Sequence, residues 1–291
     1  MSHPEIPSLL EKTRYLCRAL NIRGGRKKGQ HFLISERVLD QIVSFARLRK
    51  EDFVLEIGPG LGVLTEAIAL KVGSLIGVEI DPVLVGYLRE TFRSSPIAHI
   101  LEGDILKLNL EEVLPQREAP WKVVANIPYH QTSPILQKLL GARGLISELF
   151  LTMQLEVAQR LVATPGSKAY GVLTLACRYF AEADLLLAIP RTAFHPVPEV
   201  NSALVGIRLR PTPLYPEKDE ADFFRLVHGA FGNRRKTLRN ALLGSLGLSR
   251  EVLEAAFLEA EIDGNRRGET LSISEFRELQ ISLSKGICPG R

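Results

Sequence analysis

Between residues 53 and 153 short apolar runs alternate with stretches of helix length, and no other feature of the chain restricts its fold as much. Residues 53–57, 75–79, 98–102, 122–125 and 149–153 are near-continuous apolar runs, the pattern of strands buried on both faces. Residues 61–72 and 82–92 lie between them and are long enough for helices. Strand and helix in repetition predict a parallel sheet covered on both sides. Residues 185–189 and 203–209 follow with no helix between them, which predicts an antiparallel pair at one edge. An amphipathic helix is predicted near the N-terminus, where Leu9, Thr13, Leu16, Cys17 and Leu20 recur at helical spacing.

Pro211, Pro213 and Pro216 mark a linker. Beyond it, residues 223–231, 236–243, 251–260 and 274–283 carry helical patterns separated by glycines. A chain of 291 residues has room for two domains. The expected division is an α/β domain over 1–211, including a basic N-terminal arm, and a small all-helical domain over 212–291.

Composition narrows the class. Hydrophobic residues are 45% and charged residues 24%, the balance of an ordinary globular protein. No apolar run approaches the ~18 residues of a membrane-spanning helix, and the N-terminus lacks the basic-then-apolar pattern of a signal peptide. Cys17, Cys177 and Cys288 are far apart with no CxxC pair, which argues against a zinc site or disulfides and predicts a cytoplasmic protein without a bound metal. The net charge of +4 is unevenly spread: +7 over residues 1–50, −6 over 51–130, +3 over 131–211 and zero over 212–291. A basic arm ahead of an acidic segment suggests an anionic partner, or equally a solvated face.

The chemistry is carried at the ends of the predicted strands. Gly58-Pro59-Gly60-Leu61-Gly62 follows the first strand and opens a helix, so the backbone can approach a ligand closely. Its G-x-G-x-G spacing is neither the dinucleotide fingerprint nor a phosphate-cradling loop, and Glu56 just before it suits a cationic ligand better than a pyrophosphate. Glu79 ends the second strand, where a carboxylate can accept from both hydroxyls of a ribose. Asp104 follows the third strand and is placed to accept from an adenine amino group. Each acid alone reads as a surface carboxylate; three at successive strand ends read as a nucleoside site. Together they resemble the S-adenosylmethionine site of class I methyltransferases.

Asn126-Ile127-Pro128-Tyr129 ends the fourth strand and resembles the [DNS]-x-P-Y motif of enzymes that methylate exocyclic amines. An aryl amine is a poor nucleophile because its lone pair is delocalised into the ring. Accepting both of its N–H groups, at the Asn126 side-chain oxygen and the Ile127 carbonyl, favours a pyramidal nitrogen whose lone pair faces the methyl group. Positioning and local electrostatics then do the work without a strong base. Pro128 holds Ile127 extended and aims its carbonyl. Tyr129 is placed to stack on an extruded base. Phe194, in a proline-bounded loop, is either the second face of that base sandwich or ordinary packing. Ser133-Pro134 reads as an N-cap and first helical turn. His130 and His195 lie near the site, but the mechanism needs no imidazole.

The ordered set Gly29-Gln30-His31-Phe32-Leu33, EIGPGLGVLT, VEID, EGDIL, NIPY, HPVPEVNSALV and FGNRRKTLRN is similar to the ribosomal RNA adenine dimethyltransferase family, of the KsgA/RsmA type that modifies small-subunit RNA. The similarity runs from about residue 22 to 284 and includes Arg266-Arg267-Gly268-Glu269-Thr270-Leu271. It implies a Rossmann-like class I methyltransferase sheet, mostly parallel with an antiparallel edge strand, and a helical C-terminal domain. It implies cofactor contacts at His31, Leu33, Gly58, Gly60, Glu79, Ile80, Asp104, Ile105 and Asn126, with S-adenosyl-L-methionine consumed and S-adenosyl-L-homocysteine released. It implies dimethylation of two adjacent adenosines near the small-subunit RNA 3′ end during 30S biogenesis, by a monomer. The related erythromycin-resistance methyltransferases, which act on large-subunit RNA, are an alternative; a ribosome-assembly factor with secondary catalysis is another.

RNA contacts are expected in two places, Arg26, Lys27 and Lys28 of the arm, and Arg234, Arg235, Lys236 and Arg239. The second group is read as four cations at a helix start. They oppose the helix dipole there, a local cost that a phosphate partner relieves, although a solvated basic turn is the plainer alternative.

Overall fold

A computed structural model describes residues 7–22, 30–115 and 117–287. Arg26, Lys27 and Lys28 lie outside the described residues. The chain forms two compact units. The first runs to Ala158 and takes in Ala183–Pro211, and the second comprises Gln159–Glu182 and the chain from Thr212 onward.

The first unit begins with α1 (Leu9–Ala19), closed at its start by a reciprocal capping box between Ser8 and Glu11. A two-residue strand, β1 (Phe32–Leu33), leads to α2 (Glu36–Ala46), capped by Ser35. The expected alternation then follows as β2 (Phe53–Ile57), α3 (Val63–Ala69), β3 (Ser74–Glu79), α4 (Pro82–Thr91), β4 (Ala98–Glu102), the short α5 (Leu110–Val113) and β5 (Trp121–Asn126). After it come α6 (Thr132–Gly141), β6 (Ile146–Gln154) and α7 (Leu155–Leu161); α8 (Val172–Phe180) falls in the second unit, and the chain goes on through β7 (Ala181–Ile189) to β8 (Phe194–His195) and β9 (Ser202–Leu209) of the first. The seven-stranded sheet has the order β4-β3-β2-β5-β6-β9-β7. Strands β2 to β6 pair in parallel, and β9 runs antiparallel to β6 with β7 outside it at the edge.

Most of the apolar runs are buried as their patterns require, although β4 buries only Ala98 and Ile100 and β7 only its two ends. Val54, Leu75, Val124 and Leu204 on the sheet pack with Ile42 of α2, Ile68 of α3 and Phe194 of β8 in one cluster. The order reverses between β2 and β5. The chain builds outward to β4 and then returns to the other side of β2, so the loops leaving β2 and β5 part and open a crevice at the carboxyl ends of the strands.

Two expectations change. Ser133 is inside α6 rather than at its cap: a 3₁₀ turn over Tyr129–Gln131 runs directly into the helix, and the Thr132 hydroxyl donates to the Tyr129 carbonyl at 3.1 Å. Residues 159–182, expected in the first domain, belong with the helical unit. Tyr170 there donates its hydroxyl to the Leu271 carbonyl at 2.8 Å, and the Tyr179 ring packs on Phe223 and Tyr215. The sequence between β6 and β7 thus buries its aromatics against helices that come later in the chain.

In the second unit α9 (Glu220–Phe231), α10 (Leu238–Leu246), α11 (Arg250–Glu259) and α12 (Ile273–Ile287) pack on one another, with Thr237 and Ser249 capping α10 and α11. No helix among the described residues is long and apolar enough to cross a membrane.

Candidate active site

The crevice at the β2/β5 reversal holds a cavity of about 390 Å³, and every residue expected to touch the cofactor lines it. Three backbone bonds knit its loops together. Gly58 N–H donates to the Val78 carbonyl at 2.9 Å, Gly103 N–H to the Glu79 carbonyl at 2.9 Å, and Ile127 N–H to the Thr152 carbonyl at 3.0 Å. Gly58, Gly60 and Gly62 all have positive φ, at 68°, 62° and 80°. The backbone of this turn is therefore one that side-chain-bearing residues rarely adopt. At Gly60 a Cβ would also come within 3.2 Å of the Phe32 ring.

The acids form a graded set. Glu79 is 4% exposed. One of its oxygens accepts from Gly60 N–H at 3.0 Å, and the other from Ile80 and Asp81 N–H at 2.9 and 3.0 Å. Burial raises its carboxyl above the usual carboxylate range against the pull of those three bonds. A carboxylate offers about four acceptor sites, so one remains for a ligand hydroxyl. Asp104 holds its own turn through Leu106 N–H at 3.0 Å, and its second oxygen is 3.9 Å from Lys107 Nζ. Asp81 caps α4 through Val83 N–H at 3.1 Å.

Glu56 is 1% exposed, and its Oε2 has no hydrogen-bond partner among the described residues. Burial pushes its carboxyl up to about 8, helped by the neighbouring Glu79 charge. The hydroxyl of Thr152, also on the cavity wall, is likewise buried without a partner. A buried acid and a hydroxyl left unsatisfied at a cavity wall suit a ligand that brings its own hydrogen-bonding groups.

At the other end of the cavity, the Asn126 Nδ2 donates to the His31 carbonyl at 3.0 Å. A carbonyl can only accept, so this contact selects one orientation of the carboxamide and leaves Oδ1 as the acceptor. The His31 ring is held by its Nδ1 at 2.7 Å from the Pro196 carbonyl and stacks on Tyr129, with centroids 5.4 Å apart and planes 25° apart. The Tyr129 hydroxyl meets Ser202 Oγ at 2.6 Å.

Phe194 lines the cavity and also packs into the core. It pairs with Leu33 across the β1–β8 ribbon and is 1% exposed, its ring shared between the cavity wall and the core cluster. The aromatic neighbour of Tyr129 is His31. Sequence reasoning also passed over Thr152 and Ser202. Each is a lone polar residue in phase with buried apolar ones, Thr152 with Phe150 and Ser202 with Leu204, and that interruption of the period-two pattern is the signal.

The helical unit corrects the second cation group. Arg234, Arg235 and Lys236 precede the N-cap of α10, and only Arg239 is in its first turn. Arg234 donates to the Lys168 and Tyr170 carbonyls at 3.0 and 2.9 Å and pairs with Glu269 at 3.1 Å. Arg239 binds Glu254 at 3.1 Å and Asn265 at 2.7 Å. Two of the four cations are therefore committed within the unit, while Arg235 and Lys236 are exposed.

Comparison with known proteins agrees with this geometry. The profile of the family described as Ribosomal RNA adenine dimethylase matches residues 22–285. "Ribosomal RNA small subunit methyltransferase A" of Dehalococcoides mccartyi is 40% identical over 282 residues, covering 97% of this chain and 96% of its own. The protein of the same name from Bacillus pumilus is 37% identical over 282 residues, covering 95% and 97%. Among solved structures, the 23S rRNA methyltransferase ErmE superposes with a TM-score of 0.67 at 27% identity, covering 87% of this chain and 99% of its own. A dimethyladenosine transferase from Plasmodium falciparum shares the fold with a TM-score of 0.73. With a glycine turn, buried acids and an oriented asparagine in one crevice, and a family match over nearly its whole length, the chain belongs to the ribosomal RNA adenine dimethylase family.

Proposed function

We propose that this protein is a ribosomal RNA (adenine-N6,N6-)-dimethyltransferase that transfers methyl groups from S-adenosyl-L-methionine to two adjacent adenosines near the 3′ end of small-subunit RNA, in the cytoplasm, during small-subunit assembly. The observation that carries it is the Asn126 carboxamide, turned by the His31 carbonyl so that Oδ1 accepts. The nearly full-length match to small-subunit enzymes favours that substrate over large-subunit RNA.

S-adenosylmethionine supplies an electrophilic methyl on a cationic sulfur. The residues fit it: Glu79 has one acceptor site left for a ribose hydroxyl, Asp104 suits the adenine amino group, and Glu56 and Thr152 offer unsatisfied polar groups to the ligand's own hydrogen-bonding atoms. Ile80, Ile105 and Leu33 add apolar contact beside them, and His31, Gly58 and Gly60 border the same cavity. Asn126 Oδ1 and the Ile127 carbonyl accept the two N–H groups of the target amine, which localises its lone pair. Tyr129 supports the base plane, which requires the His31 ring to yield or share that face.

Incubation with labelled S-adenosylmethionine and either immature 30S particles or 23S RNA tests the reading. Labelled dimethyladenosine is expected in the small-subunit RNA only. Asn126→Ala is expected to lower the rate at least ~100-fold, the scale seen when one oriented polar group is removed from a reaction site, while particle binding persists. An Asn126→Ala protein that dimethylates at the normal rate overturns the mechanism.

A further inference from the structure

Helix α1 carries two adjacent stripes. Leu16, Cys17 and Leu20, with Ile22 beyond, pack against Phe32, Leu61 and Leu84 and seat the helix beside β1. Arg14, Cys17 and Arg18 recur at i, i+3 and i+4 on the neighbouring stripe, and Asn21 follows just past the helix end with a positive φ of 51°. With Ile22 and His195 they line a second depression, of about 340 Å³. His195 stands opposite Phe32 in the β1–β8 ribbon, and Phe32 lines the large cavity, so one ribbon borders both spaces.

Among the described residues the cations of this depression make no ion pair, and Glu11 reaches Arg14 only through its field. Arg14 and Arg18 are exposed, and neither has an ion pair or hydrogen bond with another described side chain. The acid one turn away, Glu11, is committed to Ser8, and Lys12 pairs with Glu66. Like charges at i and i+4 repel, and a shared anion relieves that repulsion. Guanidinium groups bind phosphate through paired N–H donors, and Asn21 and the His195 imidazole add neutral polar groups beside them. Burial and the Arg14 charge hold His195 below the ordinary histidine range.

We infer that this depression is a phosphate-binding site for the RNA strand beside the target adenosine, with Arg14 and Arg18 as its charged contacts. It rests on the reading of RNA as substrate given above. Contacts to the backbone fix register without reading sequence. Held there, the strand presents its base to a cavity bordered by the same ribbon, and α1 acquires a task that neither the cofactor residues nor Asn126 perform.

The test compares the full-length protein with its Arg14→Ala/Arg18→Ala and Arg14→Lys/Arg18→Lys variants. KM for immature small-subunit particles is expected to rise at least tenfold in the alanine pair, with kcat at saturating particles within about twofold of wild type and the Kd for S-adenosylmethionine unchanged. Binding of a single-stranded RNA oligonucleotide, measured across salt concentrations, is expected to lose about 1.4 from its log–log slope, at ~0.7 per single-strand phosphate contact. The lysine pair is expected to keep most of that slope. An alanine pair with wild-type KM and slope overturns the inference. A wild-type protein that methylates no ribosomal RNA overturns the proposed function instead, and the oligonucleotide slopes still decide the role of the two arginines.

Discussion

The Tyr129 hydroxyl lies 2.6 Å from Ser202 Oγ, tying the loop after β5 to the first residue of β9. Burial raises the Tyr129 hydroxyl above its ordinary range, so it keeps its proton, and Ser202 is fully enclosed. Ser202→Ala leaves the tyrosine without its partner and frees the ring to turn. The expected result is a kcat about tenfold lower, near 1.4 kcal/mol and within the ~1–3 kcal/mol of an unsatisfied buried polar group, with cofactor affinity unchanged. Tyr129→Phe should cost a similar factor in this respect, and the double variant little more than either single change. Additive losses in a double-mutant cycle would count against the bond.

Glu56 makes stability depend on pH. Its folded carboxyl sits at about 8 against 4.5 for the free group, so between those values the folded chain holds the proton that the unfolded chain releases. The stability this contributes is complete below pH 4.5 and is lost as pH rises toward 8, at up to ~1.4 kcal/mol per pH unit. Glu56→Gln, which is uncharged throughout, should flatten that decline and be the more stable protein at pH 9. Denaturant unfolding of both proteins from pH 5 to 9 measures it, and parallel curves would remove Glu56 as the cause.

Glu79 serves the protein and the ligand through the same carboxylate. Glu79→Gln replaces one acceptor oxygen with an N–H₂ facing backbone donors, either Gly60 or the Ile80–Asp81 pair. Hydrogen bonds to a charged group are worth ~1.5–3 kcal/mol, so cofactor Kd should rise roughly 10- to 100-fold by calorimetry and Tm should fall. A lower Tm with unchanged Kd would assign Glu79 to the fold alone.

The cations before α10 should separate by role. Arg234→Ala removes two bonds to carbonyls and one to Glu269 and is expected to destabilise the protein by ~1–2 kcal/mol, a modest figure because the side chain is 47% exposed. Arg235→Ala/Lys236→Ala should leave unfolding unchanged and weaken RNA binding, with a salt slope smaller by ~0.7–0.9 per lost contact. Equal loss of stability in both variants would erase the distinction.

The sequence by itself determined the sheet, the order of its loops and most of the residues that face the crevice, Thr152 excepted. Those follow from local rules: apolar runs of strand length, glycines where φ is positive, and motifs that sit where a parallel strand ends. Residues 53–57 and 98–102 match their strands end to end, and Gly58, Glu79, Asp104 and Asn126 meet because parallel register brings strand ends together. Tertiary structure alone decided which groups were spent. Arg234 and Arg239 look like free cations until Glu269, Glu254 and two distant carbonyls are folded against them. Ser202 looks incidental until β9 lies beside the Tyr129 loop. Residues 159–182 join helices that lie after the linker for the same reason. Periodicity records which face of an element is buried, but a hydrogen bond between residues 70 apart leaves no period in the sequence, and that is the information folding adds.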